Sequence, residues 1–148
     1  MEWLEALEGQ VVGLDTAPLI YLIEENPAYL KTVRPFFKAV DQGKFHVVTS
    51  VITLLEVLVH PFRRNDAELA QQYRDILLNA EGLTTVLLSQ EIAEKAARLR
   101  AQHSIRTPDA IQMATAMCEG ASFFLTNDAR LPSLPTLQVL VLDELRET

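Results

Sequence analysis

Apolar residues in this chain alternate between short runs and helix-spaced stripes. Val11–Leu14 is a four-residue apolar run, which suits a buried strand better than a helix. Residues 17–24 continue as a helix that Asp15 or Thr16 is placed to cap, and Asn26-Pro27 breaks it. A further helix spans 28–41, with Pro35 a point of bending or restart and Gly43 placed to terminate it. Residues 45–49 form a second strand. Ser50 then caps a helix that runs to Val59 and ends at His60-Pro61. Leu69, Tyr73, Ile76 and Leu77 share one face of an amphipathic helix over 66–80. Residues 84–87 read as a short strand, and 89–102 as a helix capped by Ser89 with Ile92, Ala96 and Leu99 facing inward. Thr107-Pro108 starts a helix well, a capping hydroxyl followed by proline in the first turn, and that helix ends near Gly120. Residues 123–126 and 137–142 are the last two strands.

Short apolar strands separated by helices predict an α/β protein: a central parallel sheet covered by helices on both faces, in three layers. Ligands in such sheets gather outside the carboxyl ends of the strands. Asp15 and Asp128 fall at two of those ends, and Glu56 and Asp109 lie on helices that could begin at the same rim. Residues 1–10 precede the pattern as a short extension. Trp3, Leu4 and Leu7 suggest an amphipathic turn docked on the body, to which no function is assigned.

At 148 residues the chain fits one domain, residues 1–148, with a sizeable core. With 49% hydrophobic and 22% charged residues the composition is globular. No apolar run approaches the roughly 20 residues of a membrane span, and Met1-Glu2-Trp3-Leu4-Glu5 lacks the basic start of a secretory signal. The single Cys118 reads as a small buried hydrophobe, permits no internal disulfide and fits a reducing cytoplasm. A net charge of −7 argues against a generic nucleic-acid binder, although cations held by clustered acids would neutralise part of it locally.

Four acids adjoin or interrupt apolar segments: Asp15, Glu56, Asp109 and Asp128. A buried carboxylate is costly unless it is paired or binds metal. Taken singly, three have ordinary explanations. Asp15 alone reads as an N-cap, Asp109 could complement a helix N-terminus, and Asp128 could be a turn residue. Glu56 resists this reading, because residues 51–59 are apolar on nearly every side and a structural glutamate there needs a buried partner. His46, His60 and His103 share no metal-ligand spacing, so a zinc site is not expected.

Together, in this order, the segments Gly13-Leu14-Asp15-Thr16, Thr49-Ser50-Val51-Ile52-Thr53-Leu54-Leu55-Glu56-Val57, Pro108-Asp109-Ala110-Ile111-Gln112-Met113-Ala114-Thr115-Ala116 and Leu125-Thr126-Asn127-Asp128 resemble the PIN-domain nucleases. The resemblance runs from about Val11 to Leu142, and within the family the chain looks most like the compact VapC-type toxins of toxin–antitoxin pairs. It implies a PIN-like fold with a metal-dependent ribonuclease site at the rim of the sheet. Asp15, Glu56, Asp109 and Asp128 match the catalytic and metal-binding acids, with Thr16, Thr126 and Asn127 in support. The implied cofactor is Mg²⁺ or Mn²⁺, hard cations that prefer oxygen ligands, activate water and bridge phosphate oxygens. Asp15 and Asp109 are the expected principal ligands, and Glu56 and Asp128 complete the set. The products implied are a 5′-phosphate and a 3′-hydroxyl.

Substrate contacts are sought among Arg98, Arg100 and Arg106, with His103 beside them, and among Arg63 and Arg64, which follow the helix that carries Glu56; a solvated face explains them equally well. Tyr21 and the pair Phe36-Phe37 could stack on bases, although helix-spaced aromatics more often pack in cores or interfaces. The implied partners are an RNA substrate, a cognate antitoxin and a second copy of the chain. Leu19, Leu22, Ile23 and Leu30 either line a partner groove or belong to the core. The competing readings are an RNA-processing PIN nuclease without an antitoxin and a catalytically silent PIN-like interaction module. Receiver or aspartyl-phosphatase folds also place acids at strand ends, but the contexts of Glu56 and Asp109 fit them poorly.

Overall fold

The structure, a computed structural model, describes residues 1–146. Five strands, β1 (Val11–Leu14), β2 (His46–Ser50), β3 (Leu83–Val86), β4 (Phe123–Thr126) and β5 (Gln138–Val141), form one sheet in the order β3-β2-β1-β4-β5. All four neighbouring pairs are parallel. Parallel neighbours require crossovers, which the helices supply. After α1 (Glu2–Glu5), the pair α2 (Thr16–Ile23) and α3 (Leu30–Asp41) links β1 to β2, and α4 (Val51–Arg63) and α5 (Ala67–Arg74) lead to β3. α6 (Gln90–Gln102) and α7 (Thr107–Cys118) link β3 to β4, and α8 (Leu142–Leu145) follows β5. One buried cluster joins Leu7, Leu19, Phe36, Val57, Tyr73 and Leu125; a second joins Ile92, Leu99, Met113, Ala116 and Phe124. Adjacent residues Phe124 and Leu125 of β4 thus feed opposite clusters, as the period of a strand dictates, and the sheet is sandwiched between two helical layers.

The chain first builds outward from β1 through β2 to β3, then returns to the other side of β1 at β4. Strand order therefore reverses between β1 and β4, and a crevice opens outside their carboxyl ends. Gly13 sets how closely α7 approaches this point. A Cβ there would lie 2.5 Å from Ala116 Cβ and 2.9 Å from Phe124 Cδ1, so only glycine lets α7 sit down on β1.

The fold departs from the sequence pattern in three main places. α4 does not end at His60-Pro61 but runs to Arg63, with Pro61 buried inside it. Proline removes one helical hydrogen bond and crowds the preceding turn; packing of α4 on α5 holds the helix together across it. α3 contains Pro35 too, within the helix expected over 28–41. The helix expected over 66–80 is α up to Arg74 and then a π-helical turn, Asp75–Asn79. The last strand stops at Val141, where Leu142 opens one turn of helix. The N-terminal segment docks as its apolar positions predict: Leu7 is fully buried and the Trp3 ring stacks on Phe36 at 6.1 Å. Among the described residues no helix is long and apolar enough to cross a membrane.

Candidate active site

Asp15 is the first residue after β1, and one of its oxygens does cap α2. Its Oδ1 accepts the Thr16 backbone N–H at 2.8 Å. Its Oδ2 is held from the far side of the switch point, accepting the Thr126 hydroxyl at 2.7 Å. Thr126, fully buried at the end of β4, also accepts the backbone N–H of Asp128 at 3.1 Å. One hydroxyl thus ties together the acidic positions that follow β1 and β4. Glu56 comes from α4, and its Oε1 accepts the Thr16 hydroxyl at 2.9 Å. Asp109 stands in the first turn of α7, directly after Pro108.

These four carboxylates line one cleft of about 240 Å³ together with Tyr21, Arg106, Asn127 and Arg130. A larger groove of about 520 Å³ lies elsewhere, at Pro61, Phe62, Ala67, Ala70 and Arg74. The smaller cleft is the candidate site because of its chemistry, four acids from four separate elements.

Crowding shows in the acidities. Burial raises the pKa of Asp15; the hydrogen bonds from Thr126 and Thr16 offset part of this, and the charges of Glu56 and Asp128 add to it. Burial also raises Asp109, reinforced by Asp15 and Asp128 and opposed by Arg106 and Arg130. Asp128 is the exception. Arg130 holds it ionised and lowers its pKa through a two-pronged ion pair, Nε to Oδ1 and an Nη to Oδ2, each at 3.0 Å.

Beneath the acids lies a buried polar floor. The Ser50 backbone N–H, which can only donate, meets Gln112 Oε1 at 3.3 Å and so fixes the orientation of that amide. Gln112 Nε2 then donates to the Thr53 hydroxyl at 2.5 Å, and the Thr53 and Thr16 hydroxyls are 3.0 Å apart. Thr16 gives its proton to Glu56 and Thr49 gives its own to the Leu14 carbonyl, so the single Thr53 proton is shared between Thr16 and Thr49, each 3.0 Å away. Gln112 is thus connected to Glu56 through Thr53 and Thr16.

Two expectations need correction. Glu56 is not buried: it lies exposed on α4, as do Leu55 and Phe62, so the apolar run around it faces solvent as well as core. Of the six basic residues singled out from the sequence, Arg106 alone lines the cleft. Arg98 lines a separate groove with Glu91, Lys95 and Met117, and the Arg100 Nε donates to the Ile105 carbonyl at 2.9 Å, closing the turn between α6 and α7. Leu99 points inward, so helical geometry directs its two neighbours away to either side. Arg63 and Arg64 are exposed beyond the cleft lining, and His103 lies in the groove with Pro135. Leu19 is fully buried, and Leu22, Ile23 and Leu30 pack against the core. Sequence reasoning missed Gln112 and Arg130. An amide in the apolar run from Ala110 to Ala116 was the signal for Gln112. Arg130, two residues after Asp128, was visible only as a local pair.

Among the described residues no three acidic, histidine or cysteine side chains converge as a ready-made metal cage. Glu56 is bonded to Thr16 and Asp128 to Arg130. The donor set nevertheless fits a hard divalent cation. It is all oxygen, and a cation would relieve the repulsion that raises Asp15 and Asp109. An ion that keeps several waters needs no closed cage.

Strand order 3-2-1-4-5 with an acid from each of four elements at the switch point defines an α/β/α protein with a carboxylate site at its rim. The PIN domain model matches residues 12–137, and the chain belongs to the PIN-domain family. Several solved structures share its fold. A toxin–antitoxin complex from Klebsiella pneumoniae is 24% identical, with a TM-score of 0.65 over 86% of this chain and 94% of that one. VapBC2 from Rickettsia felis, bound to a promoter DNA fragment, is 20% identical, with a TM-score of 0.70 over 88% and 98%. VapC20 of Mycobacterium tuberculosis, a toxin that cleaves the sarcin–ricin loop, is 18% identical, with a TM-score of 0.63 over 77% and 86%. No curated protein sequence matches at a significant level.

Proposed function

We propose that the chain is a metal-dependent endoribonuclease and the toxin of a toxin–antitoxin pair. The observation that carries this reading is the meeting of Asp15, Glu56, Asp109 and Asp128 in one cleft at the switch point of a PIN fold. Asp15 and Asp109 would hold Mg²⁺ or Mn²⁺, with Glu56 and Asp128 completing the set. When bound, the ion supplies a more acidic water and neutralises charge on the phosphate. The residues of the chain divide the remaining work. Thr126 and the start of α2 hold the Asp15 carboxylate so that it does not rotate on binding. Glu56, oriented by Thr16, accepts a proton from the attacking water. Arg106 faces the approaching phosphate, and Arg130 must give up Asp128 before that carboxylate serves another cation. Hydrolysis leaves a 5′-phosphate and a 3′-hydroxyl. The neighbours crystallised as toxin–antitoxin complexes support a protein partner, as do the exposed Leu55, Val59 and Phe62 of α4. A homodimer in the cytoplasm completes the proposal.

The test is cleavage of mixed single-stranded and structured RNAs by metal-free protein given Mg²⁺ or Mn²⁺, beside Asp15→Asn. Cleavage by the wild type alone, leaving 5′-phosphates, supports the assignment. Equal metal-dependent cleavage by both refutes it. Neither cleavage nor divalent binding by calorimetry returns the chain to the silent interaction module.

A further inference from the structure

Beside its acids the cleft carries one aromatic side chain, Tyr21, and the surroundings of that ring are unusually well fixed. Tyr21 lies on α2 and stacks on Tyr29, with ring centroids 4.4 Å apart and planes inclined by 11°. The Arg146 guanidinium lies over the Tyr29 ring, 5.1 Å from its centre. The Tyr29 hydroxyl donates to Asp143 at 2.6 Å, and the Asp143 backbone N–H donates to Asn127 Oδ1 at 3.1 Å. Asn127 Nδ2 then donates to the Tyr21 hydroxyl at 3.1 Å. The bonds and the stacked rings form a closed circuit that runs through Asn127, the residue immediately before Asp128.

Both tyrosines remain partly exposed, so burial alone does not account for so many constraints. The circuit fixes an aromatic ring next to the carboxylates at no further ordering cost when a ligand arrives. Around the same cleft, Arg106 supplies positive charge, while the Arg130 guanidinium is engaged by Asp128. A guanidinium beside a rigid aromatic plane suits a nucleotide, whose phosphate and base the two meet separately.

Resting on the nuclease reading, we propose that Tyr21 is a nucleobase-stacking subsite, which holds one unpaired nucleotide of the substrate beside the carboxylates. Every base has a π-face, so the subsite selects for an unstacked nucleotide more than for a particular base. Within a duplex both faces of each base are covered, and the nucleotide at this position must come from a single strand, loop or bulge.

The experiment measures fluorescence anisotropy of labelled ten-nucleotide single-stranded RNAs on the full chain, in an Asp15→Asn background that prevents cleavage. Tyr21→Ala should weaken binding by about tenfold or more, the scale of one lost base stack. Tyr21→Phe keeps the ring and its stack on Tyr29 and loses only the bond from Asn127, so it should recover most of the binding lost in Tyr21→Ala, and that rescue separates stacking from damage to the fold. Abasic residues walked along the RNA add the decisive reading. One position should weaken binding to the parent and leave Tyr21→Ala unaffected. Undiminished binding by Tyr21→Ala, or equal additional losses at every abasic position, overturns the subsite. If Tyr21→Ala is unaltered while the wild type cleaves and Asp15→Asn does not, the subsite fails and the nuclease reading stands. If the wild type neither binds nor cleaves RNA, both fail together.

Discussion

Gly13→Ala is the sharpest perturbation of the contact that positions α7. The new methyl would sit 2.5 Å from Ala116 Cβ and 2.9 Å from Phe124 Cδ1. Carbon atoms in contact prefer roughly 3.5–4.0 Å, so one or more of the three elements must yield by about 1 Å. Neither neighbour has an easy escape. Ala116 Cβ is fixed to the backbone of α7, and Phe124 is fully buried. Overpacking of this kind costs about 1–3 kcal/mol, and relief from the flexibility of glycine in a strand returns about 0.5–1 kcal/mol. From the middle of each range the net expectation is a loss of about 1 kcal/mol, which for a chain of this size lowers the melting temperature by roughly 2–4 °C. Thermal and urea unfolding measure it. The control is Ala116→Gly, which removes the facing methyl. Alone it weakens a helix interior by about 1 kcal/mol, but combined with Gly13→Ala it should cost less than the two single losses added. Strict additivity, or an unchanged melting temperature for Gly13→Ala, refutes the close-approach explanation.

Three further outcomes follow from the site. Asp109→Asn should raise the melting temperature of metal-free protein at pH 8, because it removes a charge disfavoured by burial and by Asp15 and Asp128. A raised carboxylate binds more protons folded than unfolded, so its stabilising contribution is complete below pH 3.8 and is lost as pH rises through its folded pKa. The advantage of the asparagine variant should accordingly shrink on acidification, and melting curves across pH check it. Thr126→Val should destabilise by about 1–3 kcal/mol, since the Asp128 N–H loses its buried acceptor. It also deprives Asp15 of a bond that favours ionisation, so the acidic limb of the pH–rate profile for RNA cleavage should move to higher pH. Gln112→Leu leaves the Ser50 N–H and the Thr53 hydroxyl without their amide partner; urea unfolding should show a loss of about 1–3 kcal/mol.

The sheet and three of the acids were legible for a common physical reason. Strands buried on both faces read as apolar runs, and Asp15, Asp109 and Asp128 stand where those runs or the helix after Pro108 begin and end. Glu56 was found by an incorrect premise. It was expected to be buried, yet the apolar residues of α4 point outward as well as inward, and one chain cannot reveal which of them cover core and which await a partner. Pro61 was misread because a local rule was applied where tertiary packing prevails. Arg98 and Arg100 are near Arg106 in sequence but not in the cleft, since the turn between α6 and α7 redirects them. The polar floor under the acids joins residues up to 96 positions apart, as Gln112 and Thr16 are, and such pairings leave no local signature.

The bond between Thr126 and Asp15 spans 111 residues. The pairs β1–β2 and β2–β3 join strands that follow one another along the chain, whereas β1–β4 closes the longest loop in the sheet. Until β4 slots in beside β1, Asp15 has no Thr126, the crevice has only one wall, and Asp128 is not in place. On the proposed function, a chain in which β4 is undocked has an incomplete carboxylate site and leaves RNA intact. Activity therefore hangs on one long-range pairing, the docking of a single four-residue strand.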